Sequence, residues 1–190
     1  PLAGAFSVRN VLAVIAAAES VKADRDGVRE GLRTFKSVKR RMELRGEVRG
    51  VTVIDDFAHH PTAIRETIDA IRQKYKGRRI VAVYEPRSYT AQRKEFQDEY
   101  ARAFGGADEI VFASLYRPDR YTKETALDLQ ELIRDLSAAG KGAKELKDAD
   151  AIVSDLGPRL KERDVVLIMS NGGFGGIHQK LLDALGKANS

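Results

Sequence analysis

The chain has 190 residues, 43% of them hydrophobic and 32% charged, which is enough to bury the core of one large domain, or of one domain with an appendage. The absence of cysteine excludes a disulfide framework and a thiolate metal site, and no apolar run approaches the roughly 20 residues that span a membrane. The net charge of +5 is compatible with nucleic acid, anionic lipid or a phosphorylated small molecule, but neither an RNA-binding signature nor a DNA-reading motif occurs. A phosphorylated ligand, or a plain solvated face, is therefore favoured, and a cytoplasmic location is the default expectation.

The first part of the chain is predicted to be helical. Apolar residues at helical spacing predict a helix over residues 7–22, with Ser7 as its N-cap. A second helical stretch follows Asp26. Residues 45–56 then predict two strands separated by a turn at Arg49-Gly50, because an alternating run of apolar and polar residues follows the turn.

From residue 61 onward, helices and strands are predicted to alternate. The strands are predicted at residues 80–84, 109–113, 143–146 (the weakest) and 165–169. The helices are predicted after Pro61, around residues 96–104, and at 127–136, 152–160 (with a break at Gly157-Pro158) and 177–185. Such alternation implies crossover connections, and therefore an α/β fold with a mostly parallel sheet between two layers of helices.

Ligands of such sheets bind beyond the carboxyl ends of the strands. That rule singles out four segments, at residues 55–60, 85–88, 113–116 and 170–173. Because parallel strands end at one edge, Asp56, Arg87 and Ser170 are expected to lie at the same edge and to open on one cleft.

The segment from Asp55 to Pro61 contains two acidic residues and two imidazoles. Such side chains can accept ribose hydroxyls, organise a metal-bound water or move protons. An equally good interpretation is an Asp that caps the following helix, with His59 and His60 as ordinary polar loop residues. A hydrolytic metal site is disfavoured because the chain has only one further histidine, His178.

The segment from Ser170 to Gly176 follows an apolar strand and opens a helix. Its four glycines let the backbone approach a ligand closely, and the helix N-terminus offers N–H groups to a carboxylate or phosphate. The segment lacks the Lys-Ser/Thr ending of a phosphate-binding loop and the spacing of the dinucleotide fingerprint.

Two groups of basic residues have competing interpretations. Arg87 is suited to a bidentate grip on a carboxylate or phosphate, or to a surface ion pair with Glu85. The charge cluster from Arg40 to Glu43 is interpreted as a solvated linker unless other evidence supports a role.

Read in order, these segments resemble the Mur ligase family. Residues 35–43 are similar to the junction between the central and C-terminal domains of that family, and residues 55–62 to the segment that opens its C-terminal domain. Residues 85–88 and 169–178 are similar to the branch that joins UDP-N-acetylmuramate to the tripeptide L-Ala-γ-D-Glu-meso-diaminopimelate. The resemblance spans essentially the whole chain and implies a three-layer α/β/α fold with a Rossmann-like sheet of about six strands.

The resemblance implies a nucleotide site. Asn10 matches a residue that recognises adenine, Arg41 one near the phosphates and Asp56 one that holds the ribose. His59 and His60 belong to the same segment and are included among the nucleotide-binding candidates. The family generally has His-Asn where this chain has Phe6-Ser7, so any role of that histidine is absent here.

The resemblance also implies a substrate site. Arg87 matches a cationic residue that faces the acyl-phosphate and the incoming amine, and it is a candidate catalytic residue together with Asp56. The turn that reads the incoming amino acid or peptide comprises Ser170, Asn171, Gly172, Gly173 and Phe174. ATP and Mg²⁺ are the implied cofactors, and no metal ligand is assigned to this chain.

The family's phosphate loop, metal ligands and UDP-sugar domain have no counterpart in these residues. The chain is therefore interpreted as a fragment, with residues 1–37 as the tail of the central domain and residues 38–190 as the C-terminal domain. Its expected partners are UDP-N-acetylmuramate, the tripeptide and the other domains of the same enzyme. Alone it is predicted to be inactive, with residues 1–37 loosely attached, swapped onto a neighbour, or docked through Val11, Leu12 and Ile15.

Two alternatives stay open at this point. The first is a ligase of the same family that adds L-alanine. The second is a nucleotide- or anion-binding module without chemistry of its own.

Overall fold

The computed structural model describes residues 4–116, 118–122 and 124–187. Their strands form one six-stranded sheet in the order β1-β2-β6-β3-β4-β5. The strands are β1 (Glu43–Val48), β2 (Val51–Asp56), β3 (Ile80–Tyr84), β4 (Glu109–Ala113), β5 (Gly142–Leu146) and β6 (Val165–Met169). The α-helices are α1 (Ala5–Ser20), α2 (Arg25–Thr34), α3 (Pro61–Lys74), α4 (Gln97–Ala103), α5 (Leu129–Ala138), α6 (Ala149–Leu156) and α7 (Ile177–Lys187).

The sheet is parallel except for β1, which pairs antiparallel with β2 at one edge. The predicted mostly parallel, three-layer α/β/α fold is confirmed. The β1–β2 turn is Arg49-Gly50, as predicted, and both residues have positive φ, 54° and 72°. A two-residue turn with both φ positive matches the right-handed twist of the strands that it joins, and glycine adopts this conformation without strain.

The central strands are buried on both faces. In β6, Val165, Leu167 and Met169 pack in the core beneath α3, α4 and α5, whereas Val166 and Ile168 pack beneath α6 and α7. Alternate side chains of a strand point to opposite faces, so a strand covered on both sides needs a continuous apolar run. This is why the predicted bounds of β3, β4 and β6 coincide with the observed ones.

Several helix ends differ from the prediction. Ser7 is not an N-cap but lies buried inside α1, whose N-cap is Gly4. The side chain of Asp24 caps α2 by accepting from the backbone N–H of Gly27 at 2.6 Å. Aspartates likewise cap α5 and α6 through Asp128 and Asp148, so α6 begins and ends earlier than expected.

The first two helices are much less buried than the rest of the fold. Only Ser7 is buried in α1, and no residue is buried in α2. Val8 is 61% exposed and Leu12 60% exposed, whereas Val11 and Ile15 are half-buried, so of the three residues named for docking only Leu12 is contradicted. The segment rests on α3 of the domain, in part through an ion pair between Arg9 and Glu66 at 2.5 Å. Among the described residues, no helix has the length and hydrophobicity required to cross a bilayer.

An ion network covers the amino ends of the strands. The carboxylate of Glu109, at the start of β4, accepts from the guanidinium groups of Arg79 and Arg159. Arg79 also donates to Asp164 at 2.9 Å, and Arg159 to Asp155 at 2.7 Å. Burial acts to raise the pKa of Glu109, but its hydrogen bonds and the charge of Arg159 outweigh this effect and lower the pKa.

Candidate active site

The three residues predicted to share one sheet edge lie there. Because β2, β6 and β3 are adjacent and parallel, Asp56 and Tyr84 both pair with Met169 at their carboxyl ends. Beyond these ends, the N–H of Ser170 donates to the carbonyl of Asp56 at 3.2 Å, and the N–H of Glu85 to that of Met169 at 3.0 Å. Asp56, Arg87 and Ser170 therefore stand on adjacent strand ends, which confirms the predicted edge.

Asp56 is buried at the end of β2. Its Oδ2 accepts from the N–H of Met42 at 2.8 Å, and its Oδ1 from the N–H of Ala58 at 2.8 Å and from Thr67 Oγ1 at 3.5 Å. Burial raises the pKa of Asp56, although the two backbone N–H groups and the charge of Arg41 act against it. A carboxylate has about four acceptor positions, so one of them is left for a ligand.

A cleft of about 880 Å³ lies between the first two helices and this edge of the sheet. Asn10, Arg41 and Asp56, the three residues that the resemblance assigned to adenine, phosphate and ribose, all line it. Most of the remaining wall is apolar, including Phe6, Val11, Val14, Leu32, Phe35 and Val38. The structure thus brings together three polar residues that are far apart in sequence.

The predicted single cleft is divided. Neither Arg87 nor Ser170 belongs to the described residues that line the cleft with Asp56. Arg87 lies instead against Gly172 and Tyr116, beyond β3 and β6. The edge therefore carries two adjacent surfaces, and the expectation of one shared cleft is wrong.

The two histidines have local roles. Nδ1 of His60 accepts from the N–H of Thr62 at 3.3 Å, so His60 caps α3, and the alternative interpretation of an Asp cap is wrong. The carbonyl of His59 accepts from the hydroxyls of Tyr84 and Tyr100 at 2.9 and 2.8 Å. Within the described part of the chain, neither histidine lines the cleft that contains Asn10, Arg41 and Asp56.

Asp55 points to the opposite face of β2 and is also buried. Its carboxylate lies 3.2 Å from Nε2 of His178 and 3.5 Å from Nε of Arg40. Burial acts to raise the pKa of Asp55, but His178 and Arg40 outweigh it and lower the pKa. Arg40 also donates to the carbonyl of Ser170 at 2.5 Å, so the prediction of a solvated linker at Arg40 is wrong.

Arg87 is held by a chain of polar contacts. Its Nη1 lies 3.6 Å from Oε1 of Glu85, and its Cζ lies 4.3 Å from the ring centroid of Tyr116. The other carboxylate oxygen of Glu85 accepts from the hydroxyl of Ser170 at 2.5 Å. That hydroxyl accepts in turn from the N–H of Gly172 at 2.9 Å. The ion pair proposed as the ordinary alternative exists, but it belongs to a connected network in which Glu85 and Ser170 are buried.

The members of the glycine-rich turn differ in what they offer to a ligand. Asn171 Oδ1 is buried and has no hydrogen-bond partner among the described residues. Gly173 has open space where a side chain would begin. Phe174 is 2% exposed and packs in the core beneath α6 and α7, so its side chain is not accessible to a substrate.

The sequence that forms this site matches a known protein family. The family model described as Mur ligase, glutamate ligase domain, matches residues 40–172. The chain belongs to the Mur ligase family.

The relatives of this Mur ligase domain include two curated proteins of the same name. The UDP-N-acetylmuramate–L-alanyl-γ-D-glutamyl-meso-2,6-diaminoheptandioate ligases of Escherichia coli and Haemophilus influenzae are 41% and 38% identical to it, over 98% and 96% of the chain. The chain covers 39% and 38% of those two proteins, so it spans about two fifths of their length.

Solved structures agree with the fold. A murein peptide ligase from Psychrobacter arcticus is 37% identical and superimposes with a TM-score of 0.74 over 98% of this chain and 38% of its own. The UDP-N-acetylmuramate-alanine ligase of Thermotoga maritima reaches a TM-score of 0.75 over 98% of this chain and 39% of its own, at 24% identity. The second comparison bears on the fold alone.

Three residues of this Mur ligase domain were missed as parts of the site. Glu85 was considered only as an ion-pair partner of Arg87, Tyr116 only as part of a strand end, and Arg40 only as a linker residue. Each acts by contact with a residue from another strand end. The strand-end rule gave the only signal for Glu85 and Tyr116, because it placed their segments at the edge without assigning them a role.

Proposed function

We propose that the protein containing this chain is an ATP-dependent ligase that joins the lactyl carboxylate of UDP-N-acetylmuramate to the amine of L-Ala-γ-D-Glu-meso-diaminopimelate through an acyl-phosphate. The observation that carries the proposal is the 41% identity over 98% of the chain to a relative with that name. Relatives named UDP-N-acetylmuramate–L-alanine ligase are 36% and 32% identical over comparable lengths, 184 and 185 residues. The work of such a ligase divides between a nucleotide surface and an amine surface.

The cleft lined by Asn10, Arg41 and Asp56 is the proposed nucleotide surface. Its apolar wall suits a purine base, and the amide of Asn10 can both donate to and accept from the base edge. The free acceptor position of Asp56 suits a ribose hydroxyl, and the exposed guanidinium of Arg41 suits a phosphate. ATP, when bound, supplies the phosphoryl group that activates the carboxylate.

Arg87 and the turn after β6 form the proposed amine surface. Arg87 carries a fixed positive charge at a position set by Glu85 and Tyr116, where it can stabilise negative charge on the acyl-phosphate or on the peptide carboxylates. Oδ1 of Asn171, a buried acceptor with no partner among the described residues, can accept from an N–H of the incoming peptide, and that hydrogen bond would remove the cost of leaving the oxygen unpaired. The open space at Gly173 lets a substrate approach the backbone.

Phosphate activation needs groups that this part of the chain does not supply. Among the described residues, no three or more His, Asp or Glu side chains are grouped so as to hold a metal ion. Phosphoryl transfer requires a cation on the transferred phosphate, and the sequence has no phosphate-loop lysine. We therefore propose that catalysis needs domains outside this chain, and that α1 and α2 belong to the tail of one of them, since α1 exposes Val8, Leu12 and Val14 and no residue of α2 is buried.

The second candidate is the L-alanine ligase of the same family. One such protein, from Salinibacter ruber, is 45% identical over 113 residues, which is 60% of this chain. The test is phosphate release by the intact protein with ATP, Mg²⁺, UDP-N-acetylmuramate and either the tripeptide or L-alanine. The proposal expects kcat/KM at least about 100-fold higher for the tripeptide, because the additional peptide contacts contribute binding energy in the transition state. A preference for L-alanine would replace the tripeptide ligase with the L-alanine ligase as the proposed function. The absence of turnover with either amine would favour a non-catalytic binding module.

A further inference from the structure

We infer that Gly172 is a positioning residue for Arg87, and that the side chain of Arg87 occupies the volume left by the missing Cβ of Gly172. The inference rests on the proposed function in one respect only, namely that Arg87 contacts the reacting groups. It adds that residue 172 sets the position of that contact, and it predicts that a single methyl group there impairs the function of Arg87 while the domain stays folded.

The close approach is specific to Arg87. A methyl group at residue 172 would lie 2.3 Å from Cδ, 2.5 Å from Nε and 2.8 Å from Cζ of Arg87, and these are its three nearest atoms. Nonbonded carbon atoms pack at about 3.5–4.0 Å, so Arg87 would have to move by more than 1 Å. Because it is a long side chain, partly open to solvent, Arg87 can move without displacing the backbone.

The backbone of Gly172 does not itself require glycine. Its φ lies outside the left-handed region, where side chains are strained, whereas Gly175 and Gly176 of the same turn have φ of 58° and 71°. Alanine at residue 172 is therefore compatible with the local conformation. The requirement for glycine arises from the neighbouring side chain.

The contact completes a closed loop of interactions between the ends of β3 and β6. Arg87 lies beside Glu85, the carboxylate of Glu85 accepts from the hydroxyl of Ser170, and that hydroxyl accepts from the N–H of Gly172. The side chain of Arg87 then fills the space that a Cβ of residue 172 would occupy. The ring of Tyr116 adds a cation–π contact to the guanidinium. Since the other members of the loop fix Gly172, a methyl group there would displace the guanidinium from Glu85 and Tyr116.

A displacement of this size is large on the scale of catalysis. Misplacing a catalytic group by about 1 Å can cost roughly 100-fold in rate. We therefore expect Gly172→Ala to lower kcat/KM for the tripeptide reaction by at least about 10-fold, mainly through kcat, with the KM for ATP unchanged. A residue that only maintained stability would not separate kcat from the KM for ATP in this way.

The test is a double-mutant cycle in the intact protein. Gly172→Ala, Arg87→Ala and the double variant are assayed by phosphate release, and melting temperatures are measured in parallel. The matched control is Gly186→Ala in α7, where an added Cβ would meet no atom within 4 Å, and it should match the wild type. The inference expects Gly172→Ala to impair activity alone but to add little in the Arg87→Ala background, because the methyl group then has no side chain to displace.

Each outcome of the cycle decides one point. Normal activity of Arg87→Ala would overturn the proposed role of Arg87, whereas normal activity of Gly172→Ala beside an impaired Arg87→Ala would overturn only the positioning inference. Additive losses would also overturn it, because Gly172 would then act on the ligand directly. If Gly172→Ala lowers the melting temperature, the double variant should restore it, and failure to do so would show that the crowding involves groups other than Arg87.

Discussion

The two edges of the sheet carry similar residue types in different arrangements. At the amino edge, Glu109 is bound by two guanidinium groups, and Arg79 and Arg159 each have a second carboxylate partner. At the carboxyl edge, the carboxylate of Asp56 keeps an unused acceptor position. The guanidinium of Arg87 lies 3.6 Å from the carboxylate of Glu85, which is longer than a hydrogen bond. The same kinds of charge are thus saturated at one edge and only partly used at the other.

The pKa directions of one carboxyl at each edge, Glu109 and Asp56, follow the same division, whereas Asp55, which ends β2 beside Asp56 but pairs with His178 and Arg40, has a lowered pKa. The pKa of Glu109 is lowered because its cationic partners outweigh burial, whereas the pKa of Asp56 is raised because burial outweighs its hydrogen bonds. A charge that is buried with weak compensation costs stability, and such sites concentrate where a ligand supplies the missing partner. Charge density alone therefore does not mark the candidate site. The site is distinguished by buried polar groups, such as the Asp56 carboxylate, that still have acceptor positions without a partner among the described residues.

The largest expected effect is that of Arg87→Ala in the intact protein. Removing a cation aimed at developing negative charge should lower kcat/KM by roughly 100-fold or more, with an unchanged melting temperature. Phosphate-release kinetics and thermal unfolding measure the two quantities. If the Arg87→Ala variant kept near-normal turnover at saturating ATP, the proposed catalytic role of the carboxyl edge would be wrong.

Asp56→Asn should have the next largest effect. The amide has one acceptor oxygen, so it cannot satisfy both Met42 and Ala58 and also accept from a ribose hydroxyl. The loss of one such bond, about 1–3 kcal/mol, should raise the KM for ATP about 10-fold and lower the melting temperature. An unchanged KM for ATP together with a lowered melting temperature would make Asp56 purely structural.

Gly173→Val should act on the amine alone. Among the described residues, an added Cβ would meet no atom within 4 Å other than those of the adjoining residues, so the side chain would project into the space proposed for the peptide. We expect the KM for the tripeptide to rise a few-fold, while the KM for ATP and the melting temperature stay constant. A large ATP defect with an unchanged peptide KM would move this turn to the nucleotide surface.

Glu109→Gln is the matching change at the amino edge, and it should leave turnover unchanged. It removes the charge that holds Arg79 and Arg159, so the domain should lose about 1–3 kcal/mol of stability at neutral pH. A carboxyl whose folded pKa is lowered contributes stability that is present above its unfolded pKa and is lost as the pH falls. The gap in melting temperature between wild type and variant should therefore narrow below a pH of about 4, and a gap that widens there would contradict the lowered pKa.

Much of the fold follows from local sequence patterns. The bounds of β3, β4 and β6 were predicted correctly because a strand buried on both faces shows an unbroken apolar run. Helix ends were predicted less well. Ser7 looked like a cap by residue type, but α1 begins earlier, and the cap of α3 is a histidine, which such preferences rank low.

The site was predictable to the extent that it depends on strand ends. Asp56, Arg87 and Ser170 could be placed at one edge because parallel strands share their direction. The contacts between Glu85 and Ser170 and between Arg87 and Gly172 were not predictable, because β6 inserts between β2 and β3 although it is last in sequence. The partition into two surfaces also depends on where α1 and α2 rest, which no local pattern specifies.

We propose that the carboxyl edge of the sheet holds the reacting groups, whereas the amino edge is structural. The most direct measurement is a crystal structure of the intact protein with the tripeptide and a non-hydrolysable ATP analogue. We expect the ribose within hydrogen-bonding distance of Asp56, and the peptide within the same distance of Arg87 and Asn171, with the network around Glu109 unchanged. A peptide bound away from Arg87 and from the turn that contains Gly172, or a nucleotide outside the cleft lined by Asn10 and Asp56, would contradict this proposal.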